Sequence, residues 1–205
     1  MKSERMISRS TQHHRLGFSL MELLIVLAVL ITITSIAAPN LMERVRSGRV
    51  QEAAESVREL LGNARRYAVD SGVDYHVRFE VNGHSVVAIP AEPEAQTANS
   101  SGQKATETVL QLESVTLDES LFLRSRKDEN PGGEQLEPMV FSTLENAGAL
   151  GQMTWSSPIV FRADGSADDR TFRVMDEESR SAEITVRGLT GSVRVSPVFI
   201  MEDDL

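Results

Sequence analysis

Glu22 is the residue whose surroundings demand a chemical explanation. From Phe18 to Ala38 the chain runs for about 21 residues with this one charge. At about 1.5 Å per residue, a helix over that run spans roughly 31 Å, the thickness of a bilayer core. A carboxylate at the centre of such a span costs about 2.5–3.5 kcal/mol on insertion scales, and less near the interface. A partner must offset that cost. If the chain were cut between Gly17 and Phe18, the new α-amine of Phe18 would stand four residues, one helical turn, before Glu22. That amine and the bare N–H groups of a helix start both favour a nearby carboxylate. In an array of such helices, Glu22 of one chain would also meet the Phe18 amine of the next. The chemistry is then charge pairing that sets an assembly register, not catalysis.

The other reactive groups form no constellation. The chain has no cysteine, which excludes a disulfide framework and a thiolate metal site. His13 and His14 are adjacent, and neighbours at i and i+1 do not face each other on a helix. His76 and His84 flank an expected hairpin and read as surface histidines. Asp164, Asp168 and Asp169 lack the spacing of a calcium loop, because Gly165 follows the first aspartate directly. Trp155 reads as a core or interface aromatic. Phosphate-loop, nucleophile-elbow and His-Glu-x-x-His patterns are absent from the sequence. An enzyme is therefore not expected, and neither a metal nor a cofactor is implied.

The elements that must hold Glu22 follow from hydrophobic period. Residues 1–17 form a polar leader, 18–38 an apolar segment, 39–71 an amphipathic continuation of the same helix, and 72–205 a β-rich head. Pro39 lacks an N–H and clashes one turn back, so a kink is expected there. Beyond it Leu41, Val45, Val50, Ala53, Ala54, Val57, Leu60, Leu61, Ala64 and Ala68 recur at helical spacing, one face for a core. Arginines and glutamates alternate over the remainder, the pattern of a solvated face with local ion pairs. Asp70-Ser71-Gly72 is the expected stop. The helix from Phe18 to Val69 would be about 78 Å long.

Past Gly72 the period becomes two. Val73 to Val81 alternates apolar and polar, Asn82-Gly83 predicts a type I′ turn, and Ser85 to Ile89 returns as a second strand. Residues 90–107 and 124–138 are expected mobile surface loops, rich in turn formers. Val109 to Leu117, Leu121 to Leu123 and Met139 to Phe141 read as short strands. Glu145 to Gln152 has no assignable period. Pro158 to Val195 is expected to form a β meander. The fold class is α+β: a long N-terminal helix, apolar then amphipathic, packed on a C-terminal antiparallel sheet.

Charge orients the chain. The total is −9. Lys2, Arg5, Arg9 and Arg15 against Glu4 give the leader +3, so the part after Gly17 carries −12. A basic flank before an apolar run stays in the cytoplasm by the positive-inside tendency. The acidic bulk is then expected outside the inner membrane, in the periplasm, on a single-pass anchor. An ordinary secretory signal has an apolar run of about 7–15 residues and a small-residue cut site. This run is longer, Glu22 interrupts it, and Pro39 would crowd a cut after Ala38.

Arg15-Leu16-Gly17-Phe18-Ser19-Leu20-Met21-Glu22-Leu23-Leu24 resembles the cleavage and methylation motif of type IV prepilins, shared by pilins and the pseudopilins of type II secretion. The resemblance implies a prepilin peptidase that cuts after Gly17 and N-methylates Phe18. It implies that Glu22 guides insertion into a filament, through helix contacts with other pilins or pseudopilins. Pro39 sits where such chains commonly carry a kinking proline. The stretch over 158–196, with Asp164-Gly165-Ser166 and the pair closing as Ile184-Thr185-Val186-Arg187-Gly188-Leu189-Thr190-Gly191-Ser192-Val193-Arg194-Val195, is similar to the C-terminal region of the minor pseudopilin GspH and its pilus relative FimT. This implies a minor pseudopilin of a type II secretion system. The alternative is a FimT-like minor pilin in pilus assembly or DNA uptake, with Arg173, Arg180, Arg187 and Arg194 as phosphate ligands. A head of net −12 disfavours DNA unless those arginines cluster.

Overall fold

The computed structural model describes residues 19–91, 111–126, 132–141, 144 and 146–201, with the side chains of all of these except 36–41. The leader and most of the loop expected over 90–107 lie outside the described residues. The chain divides into two compact units, Met1–Arg44 and Val45–Leu205. The fold is α+β, one long helix and two antiparallel sheets.

Helix α1 runs over Leu20–Ser71. In the second unit its apolar stripe is the floor of the main core. Val50, Ala53, Ala54, Val57, Leu60, Leu61, Ala64 and Ala68 are all buried, as their spacing requires. Val45 departs from the expected stripe and is half exposed. The stop lies where the sequence puts it. Gly72 takes φ +72°, a conformation that costs little only for glycine, and its N–H donates to the Ala68 carbonyl at 3.0 Å.

The first sheet has the order β3-β2-β1-β5, with β1 Tyr75–Phe79, β2 Ser85–Pro90, β3 Glu113–Thr116 and β5 Ile159–Phe161. The second has the order β4-β6-β7-β8, from β4 Leu121–Ser125, β6 Arg170–Asp176, β7 Arg180–Arg187 and β8 Ser192–Val195, with β9 Phe199–Ile200 also pairing β7. The inward residues of both sheets and the helix stripe make one cluster. Phe79 of β1 stacks on Phe172 of β6 with ring centres 4.9 Å apart, joining sheet to sheet.

The outer face of the first sheet is covered as well. Val87, Ile89, Phe141, Leu150 and Trp155 form a second, separate cluster. Trp155 is fully buried there and its indole N–H donates to the Leu150 carbonyl at 3.0 Å. Its backbone bridges both Glu80 and Glu134. This cover explains why every residue of β2 is buried. It also explains why Arg78, on the expected polar side of β1, is buried and bonded to Glu134 at 2.7 Å and to the Ser156 carbonyl at 3.0 Å.

Several local expectations need correcting. Met139–Phe141 is no strand but part of a 3-10 helix, Pro138–Phe141, whose Phe141 points into the outer cluster. Glu145 to Gln152 contains the short helix α2, Ala147–Leu150. The Asn82-Gly83 turn is wider than type I′. Only Asn82 is left-handed, at φ 57°, and the last strand pair is Phe79↔Val86, closed by Glu80 N–H on the Ser85 carbonyl at 2.8 Å. The loop expected over 124–138 begins inside β4 and is pinned again at Glu134. The expected meander is split, because β5 leaves to pair β1 while β6, β7 and β8 stay consecutive.

Trp155→Ala should therefore lower stability by about 3–5 kcal/mol, the range for removing a fully buried large aromatic. The urea midpoint measures this. A change within about 0.5 kcal/mol, as for a surface substitution, would show that the outer cluster does not hold the cover.

Candidate functional site

The first unit presents a capped helix start followed by an exposed apolar face. The Glu22 backbone N–H donates to Ser19 Oγ at 3.1 Å, and Leu23 N–H donates to the Ser19 carbonyl at 3.2 Å. Ser19 is thus the N-cap and Glu22 the third helical residue, the Ser-x-x-Glu pattern of a capping box. Glu22 stands in the first turn, where the unpaired N–H groups favour a negative charge. It is exposed and has no ion pair among the described residues.

Beyond it the side chains are apolar and outward. Leu20, Leu23, Leu24, Ile25, Leu27, Leu30, Ile31 and Ile33 are each at least 51% exposed. Two threonine hydroxyls in this stretch donate back to the helix, Thr32 to the Ala28 carbonyl and Thr34 to the Leu30 carbonyl, both at 2.8 Å. Glu22 is the one charged side chain of the run among the described residues. Among the described residues, no helix is long and apolar enough to cross a membrane. The described side chains of the apolar run end at Ser35. Gly17 and Phe18 lie outside the described residues, and the expected kink at Pro39 falls among the side chains that do.

The four tail arginines separate. Arg180 is 5% exposed and held by Asp176 at 2.9 Å and Glu178 at 2.6 Å, so it is structural. Arg173 on β6 faces outward but is bonded to Glu183 across the strand at 3.0 Å, with its guanidinium over Phe199. Arg187 and Arg194 are exposed on the outer face of the second sheet. The register Arg187↔Ser192 and Thr185↔Arg194 makes them diagonal neighbours. Arg124 on β4 lies opposite Arg173 and joins that face. Its position was readable from the continued alternation of Leu121-Phe122-Leu123-Arg124.

His76 and His84, expected at the surface, are each only partly exposed. His84 is half-buried, its Nδ1 bonded to the Leu121 carbonyl. Burial pushes the half-buried His76 imidazole below its ordinary value of 6.5; Arg78 adds to this, while Asp74 and Asp168 oppose it. Asp168 bonds Arg162, and Asp169 accepts the Gly188 N–H at 3.0 Å. Among the described residues no group of histidines and carboxylates could hold a metal ion.

One close approach fixes this end of the head. Arg65 Nε donates to the Gly165 carbonyl at 3.1 Å. A Cβ added at Gly191, φ +59°, would fall 2.5 Å from that same carbonyl oxygen and 2.8 Å from the Arg65 side chain. Gly191 therefore lets the β7–β8 turn lie over the helix arginine.

No protein-family profile and no curated protein sequence matches the chain. Among solved structures it is similar to the minor pseudopilin EpsH from the type 2 secretion system of Vibrio cholerae, at 16% identity over 73% of this chain and 97% of that one, with a TM-score of 0.44. It is also similar to the type IV minor pilin FimU of Pseudomonas aeruginosa PAO1, at 14% identity over 72% of this chain and 92% of that one, with a TM-score of 0.39.

Two outcomes follow from these side chains. Arg180→Ala, which removes a buried guanidinium from Asp176 and Glu178 while the Glu178 and Arg180 backbone N–H groups still bond Asp176, should cost about 2 kcal/mol, whereas Arg187→Ala should stay within about 0.5 kcal/mol; paired urea titrations compare them. For His76, a lowered folded pKa means that the unfolded chain binds the proton better. Its contribution is present above the ordinary value and is lost as pH falls through the lowered one. The urea midpoint should rise from about pH 5 to about pH 7, and His76→Gln should flatten that rise.

Proposed function

We propose that the chain is a non-enzymatic minor subunit of a type IV pilin-like filament, a pseudopilin of a type II secretion system. The carrying observation is Gly17-Phe18-Ser19-Leu20-Met21-Glu22, with Ser19 capping the helix, Glu22 in its first turn and an outward apolar face behind it. On this reading a prepilin peptidase cuts after Gly17 and methylates the new Phe18 amine. The anchor over 18–38 lies in the inner membrane, with the leader in the cytoplasm and the head in the periplasm. The apolar face packs on the helices of other pilins or pseudopilins. Glu22 then meets a Phe18 amine in a medium of low dielectric, where an unpaired carboxylate is costly and a paired one is specific.

A second reading, a FimT-like minor type IV pilin that takes up DNA, draws on Arg187 and Arg194 standing together with Arg124 on one outward face. Against it, Arg173 and Arg180 are taken by acids and the part after the leader carries −12. A gel shift at low salt discriminates, since phosphate contacts weaken steeply as salt rises.

Glu22→Ala should leave leader removal intact and abolish incorporation into the filament. Gly17→Leu should block removal itself. Both are read from the size of the chain and its co-purification with other pseudopilins. Normal incorporation of the Glu22 variant would sink the reading.

A further inference from the structure

Between α1 and the β6–β7 turn lies a hollow of about 190 Å³. Arg46 and Arg49 of the helix line one side, and Asp176, Glu177 and Glu178 line the other, with Ser120 and Leu121 at the start of β4. Most of these charges have partners. Arg46 pairs with Glu178. The buried Arg180 holds Asp176 and Glu178, and Asp176 also accepts the Glu178 and Arg180 backbone N–H groups. Two charges are left over. Arg49 and Glu177 are both exposed, and neither has an ion pair among the described residues. Asp118 lies within electrostatic range of Arg49, but its carboxylate is bonded by the Ser120 N–H and hydroxyl at 3.0 and 2.7 Å.

Arg46, Arg49 and Arg180 balance Asp176, Glu177 and Glu178, so the hollow is neutral as a whole and favours neither a plain anion nor a plain cation. Its unmatched groups are one guanidinium on the helix and one carboxylate on the turn. That pair suits a small group with a charge of each sign. A guanidinium takes phosphate oxygens through its fork of N–H donors, and a carboxylate accepts from a primary ammonium, which offers three N–H donors. The volume is below the roughly 300–1,000 Å³ of pockets for drug-sized ligands. We propose that the hollow binds a phosphate–ammonium zwitterion, the headgroup of phosphatidylethanolamine, with its phosphate on Arg49 and its ammonium on Glu177. The proposal rests on the reading of 18–38 as a membrane anchor, which brings the lipids of the bilayer within reach. Arg46 is the eighth residue after Ala38, the end of the apolar run, and eight helical residues span about 12 Å. A headgroup layer fills about 5–8 Å of that, and helical side chains lean back toward the N-terminal end of the helix, here the membrane side.

The test uses the full-length chain in lipid nanodiscs holding equal mole fractions of phosphatidylethanolamine, phosphatidylcholine and phosphatidylglycerol. A photo-crosslinking residue replaces Glu119, which is exposed beside Ser120, and lipid adducts are read from the mass of the chain. The expected result is a phosphatidylethanolamine adduct several-fold more abundant than either of the others. Glu177→Gln should lower it to the phosphatidylcholine level, because choline has no N–H to offer. Arg49→Gln should lower the phosphatidylethanolamine and phosphatidylcholine adducts alike, because both present a phosphate. Millimolar soluble glycerophosphoethanolamine should leave the adduct in place, since a headgroup tethered in the same disc has the higher effective concentration; its loss would assign the hollow to a free ligand and overturn the lipid source. Equal adducts from the three lipids, or no response to either substitution, would overturn the site. Co-elution of the chain with the disc reports the anchor in the same samples. If the chain co-elutes and shows no lipid preference, only the headgroup site fails; if it does not co-elute, the anchor reading falls and the site with it.

Discussion

The apolar stripe from Val50 to Ala68 on α1 is the constraint on which the rest of the head depends. Eight buried side chains on one helical face offer a strip that neither sheet alone could cover. Both sheets fold onto it, and Phe79 stacked on Phe172 closes the seam between them. Burial of apolar surface drives this at roughly 25 cal/mol per Å². With no cysteine in the chain, the head is held by packing and hydrogen bonds without disulfides.

The same helix carries a second apolar surface that no described residue covers. Leu20 to Ile33 are outward on every side, and the threonines in that stretch have turned their hydroxyls back onto the helix. A continuous exposed apolar run of this kind marks a membrane or a partner. Glu22, the one charge in its described part, stands at the capped start, where the unpaired N–H groups of the first turn favour a carboxylate. The head and the apolar run therefore do different work through one element.

The outer cover around Trp155 gives the head its individual character. It buries β2 on both faces and encloses Arg78, which then depends on Glu134 and the Ser156 carbonyl. The acidic turn after β6 similarly takes up Arg180. An arginine count thus overstates the cationic surface: of Arg173, Arg180, Arg187 and Arg194, the first two are committed to carboxylates and the last two face solvent.

Sequence alone determined the helix and its two characters, the place of Glu22 in its first turn, the stop at Gly72, the β1–β2 hairpin and most strands of the last third. Each rests on an interaction local in the chain: period, capping or turn chemistry. The tertiary structure alone decided the partition into two sheets, the departure of β5 to β1, the burial of Arg78 and the sorting of Arg173, Arg180, Arg187 and Arg194. Those outcomes depend on contacts between residues far apart in sequence, such as Phe79 with Phe172 or Val87 with Trp155. Met139–Phe141 misled for the same reason, since three apolar residues fit a strand or a tight turn equally, and Phe141 reaches the outer cluster only from the turn. A local pattern fixes which side of an element is apolar; only the assembled core fixes what covers the other side.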